Sequence, residues 1–401
     1  MRTISILSLV LLLVLSAAAI AEVPHTSNTT KPAEGVVSYD LETLWTAGGD
    51  DDDDNIFGVI MQVLVDDDGL VYLLDQQLSE VAVFSPDGER VATLSREGDG
   101  PGEIRSPNDM FFFEDGRLGL VQIFPGRIVT IDREGNPATE YSYQAGDPST
   151  GSGFAVLIQG QARGGSLVLA GITQGFANGT LDQTYFLANF GDDGAETSRF
   201  VEKKAQQSFA AMVLDEAVVD FPWARFDVTG DGHVVVAPSR DDYTVEIYAA
   251  DGTLERTFSR PLEPWQRTED DTNRMQMVME AQGRNYPVMP EIVIMDTEPA
   301  LNRLQTLADG SIWAVVNRDL REAGEGVLIT YDVFSPSGEY LQKIELMGEG
   351  NGLNDLVQII DNDHALVVRG FWSSVAASMG ASLDEEEEPA PMSVEFCRIS
   401  R

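Results

Sequence analysis

Nine side chains of this 401-residue chain have the types to grip an anion or a sugar: Arg105, Asn108, Trp223, Arg225, Asn302, Arg303, Asn317, Arg318 and Arg369. A guanidinium offers planar, forked donors that match a carboxylate or phosphate, an amide both donates and accepts, and an indole gives a flat face for stacking. Arginines gathered at one place would be a local exception in a chain with 66 acidic against 26 basic residues and a net charge of −40. The competing use for each is a pairing with a nearby carboxylate. Nucleophilic chemistry has less to work with, since no Ser/His/Asp or Cys/His arrangement with supporting context is visible. Cys397 is the single cysteine, so no internal disulfide forms, and its alternating apolar run, Val394–Ile399, makes it a small buried hydrophobe. Two acidic stretches bear on calcium. Asp50–Asp54 reads as a solvated loop or, more sharply, a cation site, but it lacks the spaced ligands and fixed glycine of an EF-hand. Asp227-Val228-Thr229-Gly230-Asp231-Gly232 resembles a fragment of a calcium loop, yet no later bidentate acid follows and a plain hairpin explains it.

What could bring the nine together is a repeated unit, clearest over Val63–Leu94. An apolar run leads into Asp66-Asp67-Asp68-Gly69 and Leu70–Leu74; after a polar break, Val81–Phe84 leads into Ser85-Pro86-Asp87-Gly88 and Arg90–Leu94. That predicts four short strands with two tight turns, in which glycine supplies a positive φ without steric cost. The first-turn glycines recur as Gly69, Gly116, Gly165, Gly232 and Gly310, and the second-turn glycines as Gly88, Gly135, Gly194, Gly252 and Gly338. Their separations within units are 19, 19, 29, 20 and 28 residues. Four-stranded repeats of roughly 40–50 residues are the signature of a β-propeller, because one such sheet cannot bury both faces alone. The expected fold is all-β, a six-bladed β-propeller with blades at about 56–94, 107–143, 154–201, 223–258, 301–346 and 355–399. The last unit supplies three strands, and residues 36–45 complete it and close the ring. A short helix inserted before blade 5 is predicted over Thr268–Ala281, with Thr268 as cap, Asp270 and Asp271 in the first turn and Gly283 at the stop. Met275, Val278 and Met279 give it an apolar stripe suited to lying over the ring mouth.

In such a ring the first-to-second and third-to-fourth connections lie on one face. Here they are tight Asp/Gly turns, except the last in unit six. The long segments fall on the other face: Ser95–Pro107, Gly171–Thr184, Glu202–Pro222, Arg260–Asn302, Asn317–Val327 and Gly370–Met392. The nine candidate residues begin or end strands at that elaborated face, where loops on a rigid scaffold carry binding. Asp384–Glu388, running into Pro389, reads as a disordered acidic excursion.

Residues 1–21 read as a signal peptide, with Arg2, the apolar run Ile4–Leu15 and an Ala19-x-Ala21 cleavage pattern. Residues 22–35 read as a flexible leader, and residues 36–401 as the propeller. An exported protein is expected, periplasmic or extracellular, with no membrane span after cleavage. The acidic surface repels phosphate backbones and anionic lipid, so nucleic acid is not an expected partner. An unknown protein, a peptide, or a small anionic or sugar ligand is.

The phrase Glu97-Gly98-Asp99-Gly100-Pro101-Gly102-Glu103, followed by Pro107 and a strand, resembles bacterial exported six-bladed β-propeller proteins related to the NHL-repeat group. So do the stretches Leu304–Trp313 and Tyr331–Gly338. The resemblance covers Val36 to Ile399. The usual NHL phrase has Asp, Asn and Arg before the third strand; Asp75 matches the first, Leu78 and Glu80 replace the others, and Arg127 matches the Arg in unit two. The resemblance implies a binding or scaffold role. Six-bladed relatives also include a zinc-dependent lyase with three axial histidines, but His25 falls in the leader, and His233 and His364 follow first turns of non-adjacent units. Gluconolactonase-like hydrolases hold an axial calcium with carboxylates and Asn, for which Asn108, Asp109, Asn302 and Asn317 are the candidates; calcium is the one cofactor so implied. The expected function is an exported ligand- or protein-binding module working through the elaborated face, with a metal-dependent hydrolase or lyase as the alternative.

Overall fold

The computed structural model describes residues 22–50, 52–144, 153–177, 179–284, 286, 288–380 and 391–401. The signal peptide expected at 1–21 and the acidic run Asp384–Glu388 lie outside the described residues. The chain is mostly β. In order, β1 (His25–Ser27) and β2 (Val36–Gly48) precede β3 (Ile60–Val65), β4 (Val71–Asp75), β5 (Glu80–Phe84) and β6 (Arg90–Leu94). Then come β7 (Pro107–Phe112), β8 (Leu118–Gln122) and β9 (Arg127–Ile131), followed by β10 (Gly153–Arg163), β11 (Ser166–Ala177), β12 (Thr180–Phe190) and β13 (Glu196–Ser208). Strand β14 (Val213–Asp215) and helix α1 (Glu216–Val219) lead to β15 (Phe226–Val228), β16 (Val234–Val236), β17 (Thr244–Tyr248) and β18 (Leu254–Ser259). Helix α2 (Glu269–Gly283) and β19 (Glu291–Val293) precede β20 (Leu301–Thr306), β21 (Ile312–Val316), α3 (Asn317–Arg321), β22 (Val327–Phe334) and β23 (Tyr340–Met347). The chain ends with β24 (Leu356–Ile359), β25 (His364–Arg369), α4 (Phe371–Ser378) and β26 (Ser393–Ser400).

These strands form antiparallel meanders: β3 to β6, β7 to β9, β10 to β13, β15 to β18, β20 to β23 and β24 to β26. Nine of the reversals share one geometry, seen in Asp66–Leu70: the first residue donates to the fifth carbonyl, and the glycine at the fourth position donates back to the first. All nine glycines have φ between +76° and +86°. The fourth position therefore sits where an L side chain is strained, which is why glycine recurs there. The tenth reversal, at Gly164-Gly165, is a two-residue turn that pairs Arg163 with Ser166.

Apolar side chains fill the spaces between sheets. Five clusters each mix two meanders that follow one another, as where Tyr72, Leu74 and Val81 meet Met110, Leu118 and Leu120. A sixth mixes the end of the chain with its beginning: Leu366, Val368 and Val394 pack on Val63, Leu73 and Phe84. Polar side chains on the first strand of each meander make a matching cycle. Gln62 Nε2 donates to Asp109 Oδ1 at 2.8 Å, and Asp109 Oδ2 accepts from Gly160 N at 2.9 Å. Gln161 Oε1 accepts from Val228 N at 3.0 Å, and Asp227 Oδ2 accepts from Thr306 N at 2.5 Å. Gln305 bonds Ile359 through both amide atoms, and Gln358 Nε2 donates to Val63 O at 3.1 Å, which returns to the strand that began the cycle.

Strand β2 pairs antiparallel with β26 from Asp40 to Gly48 and parallel with β23 from Val36 to Asp40, so it joins two meanders into one eight-stranded sheet. The segment expected to be a flexible leader behaves differently: β1 adds to the edge of β18 as a parallel strand, and Asn28 bonds Ser259 O, Gly338 O and Tyr340 N. An edge strand's unpaired backbone groups supply those partners. Two further differences are local. The expected strand Ala138–Tyr143 is reduced to isolated bridges, because Pro137 lacks the N–H that a ladder needs. The expected long connections Gly171–Thr184 and Glu202–Pro222 are largely strand, since β10 to β13 run 11, 12, 11 and 13 residues. The helix expected at Thr268 forms, with Thr268 and Asp271 making a reciprocal capping box. Among the described residues, no helix is long and apolar enough to cross a membrane.

Candidate functional site

The long connections converge on a buried ionic network. Glu216, the first residue of α1, accepts from Arg240 Nη2 at 2.7 Å, from Arg267 Nη1 and Nη2 at 2.5 and 2.9 Å, and from Met295 N at 2.9 Å. Glu298 accepts from Arg267 Nη2 at 3.0 Å and Arg321 Nη2 at 2.6 Å, and Arg321 Nε also reaches Asp271 Oδ1 at 3.3 Å. Arg240, Arg267, Glu216 and Glu298 are all under 10% exposed as side chains. Burial alone would raise the pKa of Glu216, but the hydrogen bonds from Arg267 and Arg240 outweigh it and hold the carboxyl below its usual range. The network ties α1, α2, α3 and the segment before β20 together, and β14 pairs with β19 beside it. A cleft of about 450 Å³ next to it is lined by Glu263, Pro264, Trp265, Gln266 and Arg318.

Most of the nine candidate residues have their donors engaged. Arg105 pairs with Glu97 and Asp99 in the exposed link before β7. Arg318 bonds Glu322 and Glu263 O, while Arg369 bonds Glu395, Asp355 and Glu349 O. Asn108 donates to Ile158 O and accepts from Gln76; Asn302 donates to Asn317, which donates to Pro299 O. Trp223 is half-buried against Phe221 and Tyr185, with ring centroids 4.7 and 6.1 Å away.

Arg225 and Arg303 differ. Each stands three residues before the residue that pairs across the first turn of its sheet, Val228 with Val234 and Thr306 with Ile312. Ala224 O accepts from Leu304 N at 3.0 Å, so the two arginines flank one backbone hydrogen bond between neighbouring sheets. Arg225 is 4% exposed; its Nη2 donates to both oxygens of Asp220 at 2.8 and 2.9 Å, and its Nη1 is buried without a hydrogen-bond partner. Arg303 is half-buried and donates through Nη1 to Val357 O at 3.1 Å. Among the described residues no carboxylate lies within ion-pair distance of it, and burial pulls the pKa of its guanidinium down.

The carboxylates that link neighbouring sheets are held by protein donors. Asp109 is buried, and burial pushes its carboxyl up to about 7 despite bonds from Gly160, Gln62 and Met110. Asp227 is likewise raised by burial, with Thr306, Val228 and Arg163 acting the other way. The three histidines lie apart: His25 bonds Thr257 and Ser259, His233 contacts Asp231 and Glu255, and His364 contacts Asp361. Among the described residues no group of three or more His, Cys, Asp or Glu could hold a metal ion. Asp52 spends its oxygens on Gly48 N, Asp54 N and Asn55, and Thr229–Gly232 forms one of the nine glycine turns. Cys397 is buried, and burial pushes its thiol up to about 11.

Sequence reasoning missed three features. The ionic network joins residues tens of positions apart, and the Gln and Asp side chains that link neighbouring sheets sit in strands as isolated polar residues. The third is a row of phenylalanines at one end of the longest sheet, Phe124, Phe154, Phe176 and Phe209, with successive centroids 5.2 to 5.9 Å apart. Phe124, Phe176 and Phe209 are 63%, 48% and 36% exposed. Their spacing in sequence carries no period.

No protein-family profile matches the chain, and no curated protein matches it. Among solved structures, it is similar to a putative exported protein from Bacteroides fragilis at 10% identity, over 94% of this chain and 100% of that one, with a TM-score of 0.48. It is similar to the calcium-binding protein regucalcin from Agrobacterium tumefaciens at 10% identity, over 91% and 97% of the two chains, with a TM-score of 0.45. Virginiamycin B lyase from Staphylococcus aureus matches at 10% identity, over 89% and 99%, with a TM-score of 0.41. Each TM-score is below 0.5, so fold and function here rest on this chain's own geometry.

Proposed function

We propose that the chain is an exported six-bladed β-propeller, related to the NHL-repeat group and closed by β2 in the last blade, that binds a ligand or a protein partner on the face carrying its long segments. The ring reading is supported by the cycle of polar links from β3 through β7, β10, β15, β20 and β24 and back to Val63. Export is supported by the pattern of residues 1–21. The observation that carries the binding reading is the ionic network around Glu216, Glu298, Arg240, Arg267 and Arg321, on one face only. Burying that many charges costs several kcal/mol per ion before pairing offsets it. Connections that merely bridge strands have no need of it; a surface that must hold its shape for a partner does.

The binding reading is favoured over a metal-dependent hydrolase or lyase because three of the four side chains proposed for an axial calcium already accept protein donors. Asp109 accepts from Gln62, Met110 and Gly160, Asn108 from Gln76, and Asn317 from Asn302. The test is amide hydrogen exchange with a panel of small carboxylates, sugars and peptides. A bound member should protect Trp223–Val228, Leu301–Thr306 and α2 while leaving the nine glycine turns unchanged. Protection at the glycine turns, or chemical conversion of the bound compound, would overturn the assignment.

A further inference from the structure

We propose that the cleft beside α2 takes the guanidinium group of an arginine on a partner protein. This rests on the binding reading of the same face and narrows it to a cationic ligand. Glu263, Pro264, Trp265, Gln266 and Arg318 line the cleft, whose volume of about 450 Å³ falls within the range of small-ligand sites. Its wall is fixed from behind. Glu298 N donates to Trp265 O at 3.0 Å, Arg267 N donates to Asp296 O at 2.9 Å, and Gln266 bridges to Thr297. Trp265 Nε1 donates to Asp271 Oδ2 at 3.0 Å, and Arg318 Nη1 donates to Glu263 O at 3.1 Å. The indole has spent its one N–H, so what it offers a ligand is ring surface. Glu263 is exposed, and among the described residues its carboxylate accepts no hydrogen bond and closes no ion pair. A fixed ring and an unspent carboxylate in one cleft are the two groups a guanidinium uses. Its plane stacks on the aromatic face while its forked N–H groups meet the carboxylate.

Charge selects a cation. Arg318 pairs with Glu322 at 3.1 Å and also feels Glu263 and Asp319. Lys343 answers Asp319, and Arg260 answers the neighbouring Asp332. Behind the cleft Asp271 and Glu298 are matched by Arg321 and Arg267, and Glu216 by Arg240 and Arg267. Glu263 is the carboxylate left over. Of the other charges on these segments, Asp241, Glu269, Asp270, Asp296 and Glu325 are negative and Arg274 alone is positive. An anion is repelled here, and a chain of net charge −40 steers basic partners toward the site. A neutral hydroxylated ligand gains nothing from the surplus charge and is the competing occupant.

The experiment titrates N-acetylargininamide into the isotope-labelled full chain at low salt and follows the tryptophan indole N–H signals by NMR. The uncharged isostere N-acetylcitrullinamide and the neutral sugar maltose are the comparisons. The Trp265 signal, assigned by its loss in Trp265→Phe, should move saturably with the arginine compound, and the citrulline compound should bind about tenfold more weakly. Glu263→Gln, which breaks no bond, should weaken the arginine compound about fivefold, and Asp115→Asn at the glycine-turn end should leave it unchanged. Calorimetry on Trp265→Leu should show a loss of about threefold, and it serves if Glu263→Gln does not fold. Equal binding of the arginine and citrulline compounds overturns the proposal. So does a response that survives both variants, or one that Asp115→Asn weakens as much as Glu263→Gln. A Trp265 response to maltose stronger than that to the arginine compound overturns the cation class. If the arginine compound fails while another compound protects α2 in hydrogen exchange, the cation site is lost and the binding reading stands.

Discussion

At the end of the molecule that carries the glycine turns, nine chain reversals close their backbone hydrogen bonds within five residues. At the other end, Glu216 finds its partners Arg240 and Arg267 at sequence distances of 24 and 51. The first end is built mainly from local geometry: Arg117 pairs with Asp115, whose side chain is 55% exposed, while the buried Asp66 takes a single partner, Arg133, from the next sheet. The second end adds a network whose charges are buried and paired across segments. The contrast separates what the chain needs in order to reverse direction from what it has added. Turns that only connect strands have been kept minimal, and the buried Glu216 network lies on the side where we place binding.

The sharpest way to break this comparison is to remove one carboxylate from each end. Glu216→Gln withdraws the charge that faces both Arg240 and Arg267, leaving buried guanidinium groups short of a partner. Unfolding by urea should show a loss of about 3–5 kcal/mol. Asp115→Asn at the turn end removes a largely solvent-screened pair, and the loss should stay below about 1 kcal/mol. Equal losses would mean that the network is not what rigidifies the elaborated face.

Within the turn end the glycines themselves can be compared. Gly116 and Gly338 have φ of +85° and +84°, so alanine is strained at both. A Cβ on Gly116 would meet nothing nearer than Arg133 at 3.7 Å, whereas one on Gly338 would lie 2.5 Å from the Phe258 ring. Gly116→Ala should therefore cost about 1 kcal/mol, the left-handed conformation alone. Gly338→Ala should cost about 2–4 kcal/mol once the clash with Phe258 is added. Chemical denaturation of the two variants checks the difference, and matching values would remove the packing part of the argument.

These features differ in how far the sequence discloses them. The glycines were legible because the turn is local: its demand for positive φ falls on one residue, four strands after four strands. The helix at Thr268 was legible for the same reason, since its capping box spans Thr268 to Asp271. The axial links were not. Gln62, Asp109, Gln161, Asp227, Gln305 and Gln358 each act on the next sheet, from 47 to 295 residues away, and a lone polar residue in a strand is indistinguishable from one that faces water. The His25–Ser27 strand was hidden likewise, because three polar residues become a strand only when an edge 232 residues away receives them. As for the arginines, their number was visible, but which of them would be spent on carboxylates depended on the fold. Arg105, Arg318 and Arg369 are spent; Arg303 is not, and Arg225 is only in part.

Asp109 offers a smaller effect that belongs to neither end. Its carboxyl is pushed up to about 7 by burial, against about 3.9 for the unfolded chain. Between those values the folded protein holds a proton that the unfolded chain has released, so raising the pH draws that proton off and weakens the fold. The sign is opposite to that of Asp271, whose bonds from Trp265 and Thr268 overcome burial and lower it to about 2, so that its contribution is lost only as pH falls below about 4. Between pH 6 and 8, stability should fall by about 1 kcal/mol through Asp109 alone. Asp109→Asn, which keeps an acceptor for Gln62 or Gly160, should flatten that slope. Because the link between β3, β7 and β10 lies between the two ends, the slope should persist unchanged in Glu216→Gln and in Gly338→Ala. A slope that vanished with Glu216 would tie the axis to the ionic network and dissolve the separation between them.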